Sequence, residues 1–250
     1  MRAVLALCVV LAGCSDLLGI GDLSGPAAPV DSTPRDAPID VIVPDQITVA
    51  GSIQILDLGL AMSSGDQLQI DFIRMPDRTI LATTTSGVAG SFSVLLPTLG
   101  GPLDGYFRVR GAMAGVDLDA SVYSPVPFTN SGQFDFVILT NALITELSQK
   151  ANEPQDQATA FVMVSVFDPS GQPLQGATVQ AQMGARVVYA GDNLEPLIAA
   201  TATATSGIAF LFNVLPTETL LSVDLGGAQT TRIADITSPG SAHYVGIRSP

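Results

Sequence analysis

Tryptophan is absent from this 250-residue chain, histidine occurs once and cysteine twice. Lys150 is the sole lysine. Each scarcity removes a class of function. One histidine and two cysteines, Cys8 and Cys14, cannot supply a histidine-based zinc site, which takes four ligands in a structural role. No DxDxDG loop offers calcium the carboxylates of an EF-hand. Sugar sites lean on aromatic platforms, and this chain has no Trp and four Tyr. Basic residues are also few: 10 Lys plus Arg stand against 23 Asp plus Glu, for a formal net charge of −13. That balance argues against nucleic acid as a partner and against electrostatic attraction to anionic lipid. Long apolar runs are missing too. The mean hydropathy of +0.42 comes from short stretches of Val, Ile, Leu and Ala, and none approaches the ~20 residues of a membrane-spanning helix.

What is present begins at the N-terminus. Met1-Arg2 is followed by an uncharged apolar run, Ala3 to Leu11, and then by small residues and a cysteine, Leu11-Ala12-Gly13-Cys14. The run is too short to span a bilayer and matches the core of a secretory signal peptide. The four residues resemble the lipobox of bacterial lipoproteins. The resemblance implies a signal peptide over 1–13, cleavage before Cys14 after recognition of Leu11, Ala12 and Gly13, and diacylglyceryl transfer to the Cys14 thiol. Cys8 leaves with the signal peptide, so the mature chain has no intramolecular disulfide. Two or three acyl chains anchor stably where one does not, so the membrane is an expected partner through lipid alone. Ser15 at the following position, where enteric bacteria use Asp for inner-membrane retention, favours the outer membrane of the cell envelope over the inner one.

Residues 14–46 read as a tether. Pro26, Pro29, Pro34, Pro38 and Pro44 are interspersed with Asp, Ser and Gly, and aromatics are absent. Such a stretch has little to bury and is expected to be disordered. Fully extended it reaches roughly 100 Å, enough to lift a folded part off a membrane.

From residue 47 the hydrophobic period is two. Leu68, Ile70 and Phe72 alternate with Gln67, Gln69 and Asp71, and Val116, Leu118, Ala120 and Val122 with Asp117, Asp119 and Ser121. These are half-buried strands separated by turn signals, the pattern of an all-β sandwich. Leu143, Ile144 and Leu147 break the pattern at helical spacing, which predicts a short helix within Asn141–Lys150.

A repeat sets the expected domain count. Thr85-Ser86-Gly87-Val88-Ala89 leads into Phe92-Ser93-Val94-Leu95-Leu96-Pro97-Thr98, and Thr205-Ser206-Gly207-Ile208-Ala209 leads into Phe212-Asn213-Val214-Leu215-Pro216-Thr217. A glycine between paired strands suits a positive-φ turn. Each half is therefore expected to hold the same hairpin, with Gly87 and Gly207 at its turn. The expected fold is two tandem Ig-like Greek-key sandwiches, 47–139 and 158–250, joined by a helical connector over 140–157. Each copy is large enough to bury its own core.

The second half carries a further resemblance. Val164-Ser165-Val166-Phe167-Asp168, then Gly171-Gln172-Pro173-Leu174-Gln175-Gly176-Ala177-Thr178-Val179, then Thr205, Gly207 and Phe212-Asn213-Val214 resemble the carboxypeptidase regulatory-like domain. That is a transthyretin-like (prealbumin-like) sandwich, and the resemblance covers about 158–225. The first half shares the hairpin but has Gly51-Ser52-Ile53-Gln54-Ile55 in place of the G.PL.GA.V segment. The resemblance implies a non-catalytic accessory module.

No residue is assigned a catalytic or metal-binding role, and no cofactor is expected. A Ser–His–Asp triad is formally open to any chain with one histidine, but His243 shares parity with Val245 and Ile247 and reads as a half-buried strand residue. Asp117 and Asp119 on one strand face, and the Asp192-Asn193-Leu194-Glu195 loop, read as solvated faces. Lys150, the sole donor for a Lys–Asn isopeptide crosslink, lies in the expected helix and not in a core strand. The expected function is surface display, adhesion or protein interaction without catalysis. The alternative is a carbohydrate- or peptide-binding module, so the partner is a protein or a glycan.

Overall fold

The computed structural model describes residues 42–75, 77–113, 116–181, 185–236 and 238–249. Leu11, Ala12, Gly13, Cys14 and the tether up to residue 41 lie outside the described residues. The end of the expected tether is held against the fold: Val43 is buried, and the Asp45 carbonyl accepts from the amide of Thr98 at 2.9 Å.

The described chain is all-β with one helix. The first half contributes β1 (Gln46–Asp57), β2 (Ala61–Ser64), β3 (Gln69–Arg74), β4 (Thr79–Thr85), β5 (Ser91–Pro97), β6 (Gly105–Met113), β7 (Val116–Tyr123), β8 (Gly132–Gln133) and β9 (Phe136–Leu139). The helix α1 (Asn141–Lys150) follows, over the expected span. The second half contributes β10 (Ala160–Phe167), β11 (Thr178–Ala181), β12 (Arg186–Ala190), β13 (Pro196–Leu197), β14 (Ile208–Val214), β15 (Glu218–Leu225), β16 (Ala228–Asp235) and β17 (Ala242–Arg248).

The repeat is visible in the strand pairing. In the first half β1 pairs with β5 antiparallel and with β9 parallel; in the second, β10 pairs with β14 antiparallel and with β17 parallel. The antiparallel run β3-β6-β7 has its counterpart in β11-β15-β16. One strand breaks the correspondence: β4 pairs with β3, whereas its counterpart β12 pairs with β14.

The halves are not separate in hydrogen bonding. β17 pairs in parallel with β7 through Ala242↔Ala120 to Val245↔Tyr123. This seam fuses a sheet of each half into one nine-stranded sheet, β13-β12-β14-β10-β17-β7-β6-β3-β4. The expected division at 140–157 is thus crossed by a sheet whose middle strand is β17. β2, β5, β8 and β9 form a second sheet around β1, and β11-β15-β16 a third.

Side-chain alternation assigns the two faces of the long sheet. Phe72, Phe107, Val122, Phe161, Phe210 and Tyr244 join one core with the β1 sheet and with Leu143, Ile144 and Leu147 of α1. Six of the ten phenylalanines sit in its first-half part, with Phe72 and Phe107 edge to face at 5.0 Å. The opposite face, with Val162, Val164, Val245 and Ile247, packs with Val179, Leu221 and Val223 of the third sheet. β10 is therefore buried along its whole length, which explains why its sequence, AFVMVSVF, is a continuous apolar run and not an alternating one.

Local chemistry ends the helix and pins the loops. Thr140 caps α1 by accepting from the amide of Leu143, and Glu146 pairs with Lys150 at i,i+4. Thr203, although outside any strand, is buried: its hydroxyl accepts from the amide of Ala177 at 2.9 Å and donates to the carbonyl of Leu174 at 2.7 Å. It holds the Gln172–Ala177 segment against the sandwich.

The expected hairpin is corrected. β4 and β5 belong to different sheets, so Thr85–Ser91 is an arch over the edge of the sandwich and not a turn between paired strands. The segment before β14, with Thr201, Thr203 and Thr205, is not a strand at all. Gly87 is extended at φ −90°; the left-handed glycine of the first copy is Gly90, at φ +70°, matching Gly207 at +66°. Each directly precedes its strand, and each passes against the neighbouring strand's backbone. A Cβ on Gly90 would lie 2.1 Å from the carbonyl oxygen of Ile53, and one on Gly207 2.6 Å from that of Val166. The structural repeat is thus displaced three residues from the sequence match, because backbone approach and not local turn chemistry selects the glycine. Gly90→Ala is expected to lower the unfolding free energy by about 2 kcal/mol or more, while Gly87→Ala costs under about 1 kcal/mol; urea titration of both variants measures the difference.

Candidate functional site

The residues expected to carry chemistry fall apart in space. His243 is on β17 with Val245 and Ile247, as its parity suggests, but it is 2% exposed and not half-buried. Its Nε2 lies 2.8 Å from the hydroxyl of Ser241. That hydroxyl donates to the carbonyl of Ser238, so the imidazole supplies the proton between them. The polarity is the reverse of a nucleophile and its base. Nδ1 has no hydrogen-bond partner, so nothing orients the ring as the acid of a triad would. Asp119 is committed to Arg108 at 2.7 Å, and Asp117 is exposed. In the 192–195 loop, Asp192 accepts from Thr205. No group of three or more potential metal ligands gathers among the described residues. Lys150 is half-exposed and paired with Glu146.

One alternation was more than a solvated face. Asp71, expected to point to water, is 1% exposed. It accepts from Arg110 at 2.6 Å, from Thr83 at 2.8 Å and from Gln69 at 3.0 Å. Burial raises its pKa, but the three donors together outweigh it and hold the carboxyl below the ordinary value.

The densest polar arrangement lies where the halves meet. The Tyr123 hydroxyl on β7 accepts from the amide of Asp235 at 3.0 Å and donates to its carbonyl at 3.1 Å. It replaces, with one side chain, the two backbone bonds that a neighbouring strand would give. Tyr106 stacks on Tyr123 at 4.7 Å and donates to the Asp235 carboxylate at 3.3 Å, where Arg78 Nε also sits at 2.9 Å. Arg232 reaches Asp104 at 3.0 Å. Burial, and then the charge of Asp235, pushes the Tyr106 hydroxyl up to about 12, and burial raises Tyr123 well above its ordinary value. Both phenols therefore stay protonated and able to donate. The cluster holds the two halves together and presents no reactive group to solvent.

A polar cleft of about 440 Å³ lies beside α1, lined by Asn141, Thr145, Gln155, Asp156, Thr159 and Ser241 among others. Its polar atoms largely satisfy one another. Gln155 donates to Thr159, Thr159 to the carbonyl of Asp156, and Thr145 to the carbonyl of Asn141.

Sheet edges offer more. β13 has two residues, one a proline, and β11 has four. β4 carries a bulge opposite Phe72 and Ile73, and β16 carries Arg232 and Asp235. Short, bulged or charged strands resist pairing with another chain. β5 differs. It is uncharged, it runs in unbroken register with β1 from Gln46↔Pro97 to Ser52↔Ser91, and its single proline is its last residue. Ser91, Ser93 and Leu95 face outward and are exposed. No sequence signal separated β5 from the other alternating strands, because edge position is a property of topology.

No family model matches the chain, and no curated protein matches it. Among solved structures it is similar to the TIE protein of Bacillus anthracis, at 10% identity over 82% of this chain and 34% of that one, with a TM-score of 0.27. It is also similar to the shaft pilin SpaA of Lactobacillus rhamnosus GG, at 12% identity over 82% and 98%, TM-score 0.26. A third is the dioxygenase domain of a carbohydrate-binding fusion from Streptomyces sp. SirexAA-E, at 18% identity over 48% and 96%, TM-score 0.26. The chain spans about a third of the length of the TIE protein. Superpositions this loose transfer neither function nor ligand.

The junction generates a measurable contrast. Tyr123→Phe strands a buried amide and a buried carbonyl of Asp235, so it is expected to cost about 2 kcal/mol. Lys150→Met removes only an exposed ion pair and is expected to change stability by under about 0.5 kcal/mol. Thermal and urea unfolding of the two variants measure both.

Proposed function

We propose that this chain is a lipid-anchored protein of the bacterial cell envelope, tethered through Cys14, whose β-sandwiches act without catalysis in surface display, adhesion or protein interaction. The observation that carries the reading is the β5 edge: seven uncharged residues with no bulge, in a chain whose other edges are short, bulged or charged. Such an edge takes an extended segment by adding a strand, with backbone bonds giving affinity and alternate side chains giving selectivity. The commitment of the single histidine to Ser241 and the mutual satisfaction of the cleft beside α1 support a non-catalytic role. The lipobox resemblance and the proline-rich tether support the anchoring, and the likeness of 158–225 to the carboxypeptidase regulatory-like domain supports an accessory module.

Two experiments test the reading. The wild-type chain should incorporate labelled fatty acid, Cys14→Ala should not, and a chain beginning at Ser15 should fractionate as soluble; absence of label in the wild type would sink the anchoring. A photo-crosslinking residue placed at Leu95 should give discrete adducts in intact cells, and one at Ile233 on β16 should not. Equal adducts from both positions would remove β5 as the interaction surface.

A further inference from the structure

The seam between the halves is short on one side and long on the other. β17 pairs with β10 over seven residues, Phe161↔Ala242 to Phe167↔Arg248, but with β7 over only four. His243 lies inside the four-residue stretch, opposite Ser121 on β7 and Val162 on β10. Its side chain is buried with one nitrogen satisfied and the other bare. A parallel pairing of four residues is the weakest strand contact that the nine-stranded sheet depends on between its halves.

The groups around the imidazole offer no home to a positive charge. From β7, Asp119 favours the charged ring; from β6, Arg108 opposes it. These two are bonded to each other, so their effects largely cancel. The neighbours also include Ser241, whose hydroxyl already donates to Ser238, the Tyr123 ring at 6.5 Å, Ser121 opposite on β7 and apolar Val162 opposite on β10. On β16 the Asp235 carboxylate is engaged by Tyr106 and Arg78.

We propose that His243 is an acid-sensitive latch: protonation of its imidazole releases β17 from β7 while β17 stays paired with β10. The release frees the edge of β7, while Tyr123 on Asp235 and Arg232 on Asp104 still tie the first half of the chain to the second. It adds a regulated edge to the molecule and does not rest on the role of β5.

Burial lowers the imidazole from 6.5 to about 4. For a histidine depressed in the closed form, the open form binds more protons throughout the window between those values. Stability of the seam is full above about pH 6.5 and falls as the pH drops toward 4. The corresponding gain in opening between pH 7 and pH 4 is roughly a hundredfold.

Hydrogen exchange of the full mature chain, corrected for the intrinsic pH dependence, reads the opening directly. Peptides from 116–123 should lose protection by roughly a hundredfold between pH 7 and pH 4, while β1 and β5 peptides keep theirs. In His243→Gln, which cannot take up the proton, the loss should disappear. Loss of the same size in His243→Gln, or uniform loss across the chain, overturns the latch. A second reading needs no variant. As the sole histidine, His243 gives one imidazole C2 proton resonance, and its titration in the closed form should fall near pH 4, where the loss of protection levels off. A titration near 6.5, or a loss of protection that begins only below pH 4, overturns it equally.

Discussion

Everything in this molecule leans on β17 finding β7. A strand at the edge of a sheet presents unpaired N–H and C=O groups along its whole length, and β7 would be such an edge if the first half stood alone. β17 covers its Ala120–Tyr123 stretch. In doing so β17 becomes an interior strand with a neighbour on each side, and the side chains on both of its faces are buried. Parallel pairings between strands so distant in sequence form only when both faces are covered. Here the β1 sheet and α1 cover one face and the third sheet covers the other.

The same pairing has a counterpart at the end of β16. β16 stands in the second half where β7 stands in the first. Its end, Arg232 to Asp235, is the stretch corresponding to the paired part of β7, yet no strand adds there. Tyr123, Tyr106, Arg78 and Asp104 of the first half occupy it instead. The Tyr123 hydroxyl takes both the amide and the carbonyl of Asp235, so that edge is satisfied by a side chain. The two halves close on one another along Ala120–Tyr123 and Arg232–Asp235. On the outer side of the first half, β5 ends the sheet built on β1.

Buried polar groups meet at this junction because pairing β17 with β7 brings strand ends and loops of one half against the other. Asp235, Arg232, Tyr106, Tyr123 and His243 are all there, and most are paired. The exceptions are one oxygen of Asp235, Nε of Arg232 and Nδ1 of His243. A buried polar atom left without a partner costs more than a bond contributes, and of these three groups His243 is the one inside the pairing of β17 with β7.

The class of the fold, the inward faces of the alternating strands and the helix were legible in residue spacing alone. Alternation put Leu68, Ile70, Phe72 and Leu118, Ala120, Val122 inward, and i, i+3, i+4 spacing put Leu143, Ile144 and Leu147 on one helix face, because both patterns are local consequences of backbone period. The repetition of a Thr-Ser-Gly motif disclosed two like units, though not which glycine mattered. Only the tertiary structure decided that Gly90 and not Gly87 is the counterpart of Gly207, that Asp71 is buried, that His243 is wholly enclosed, and that the two units share a sheet. Each of those depends on which backbone or charge comes alongside from a residue tens of positions away. The carbonyl of Ile53 lies against Gly90, Arg110 against Asp71, and Ala120–Tyr123 against Ala242–Val245. Periodicity records which way a side chain points; it carries no record of what will be waiting there, since that neighbour is selected by closing the core and satisfying every sheet edge at once.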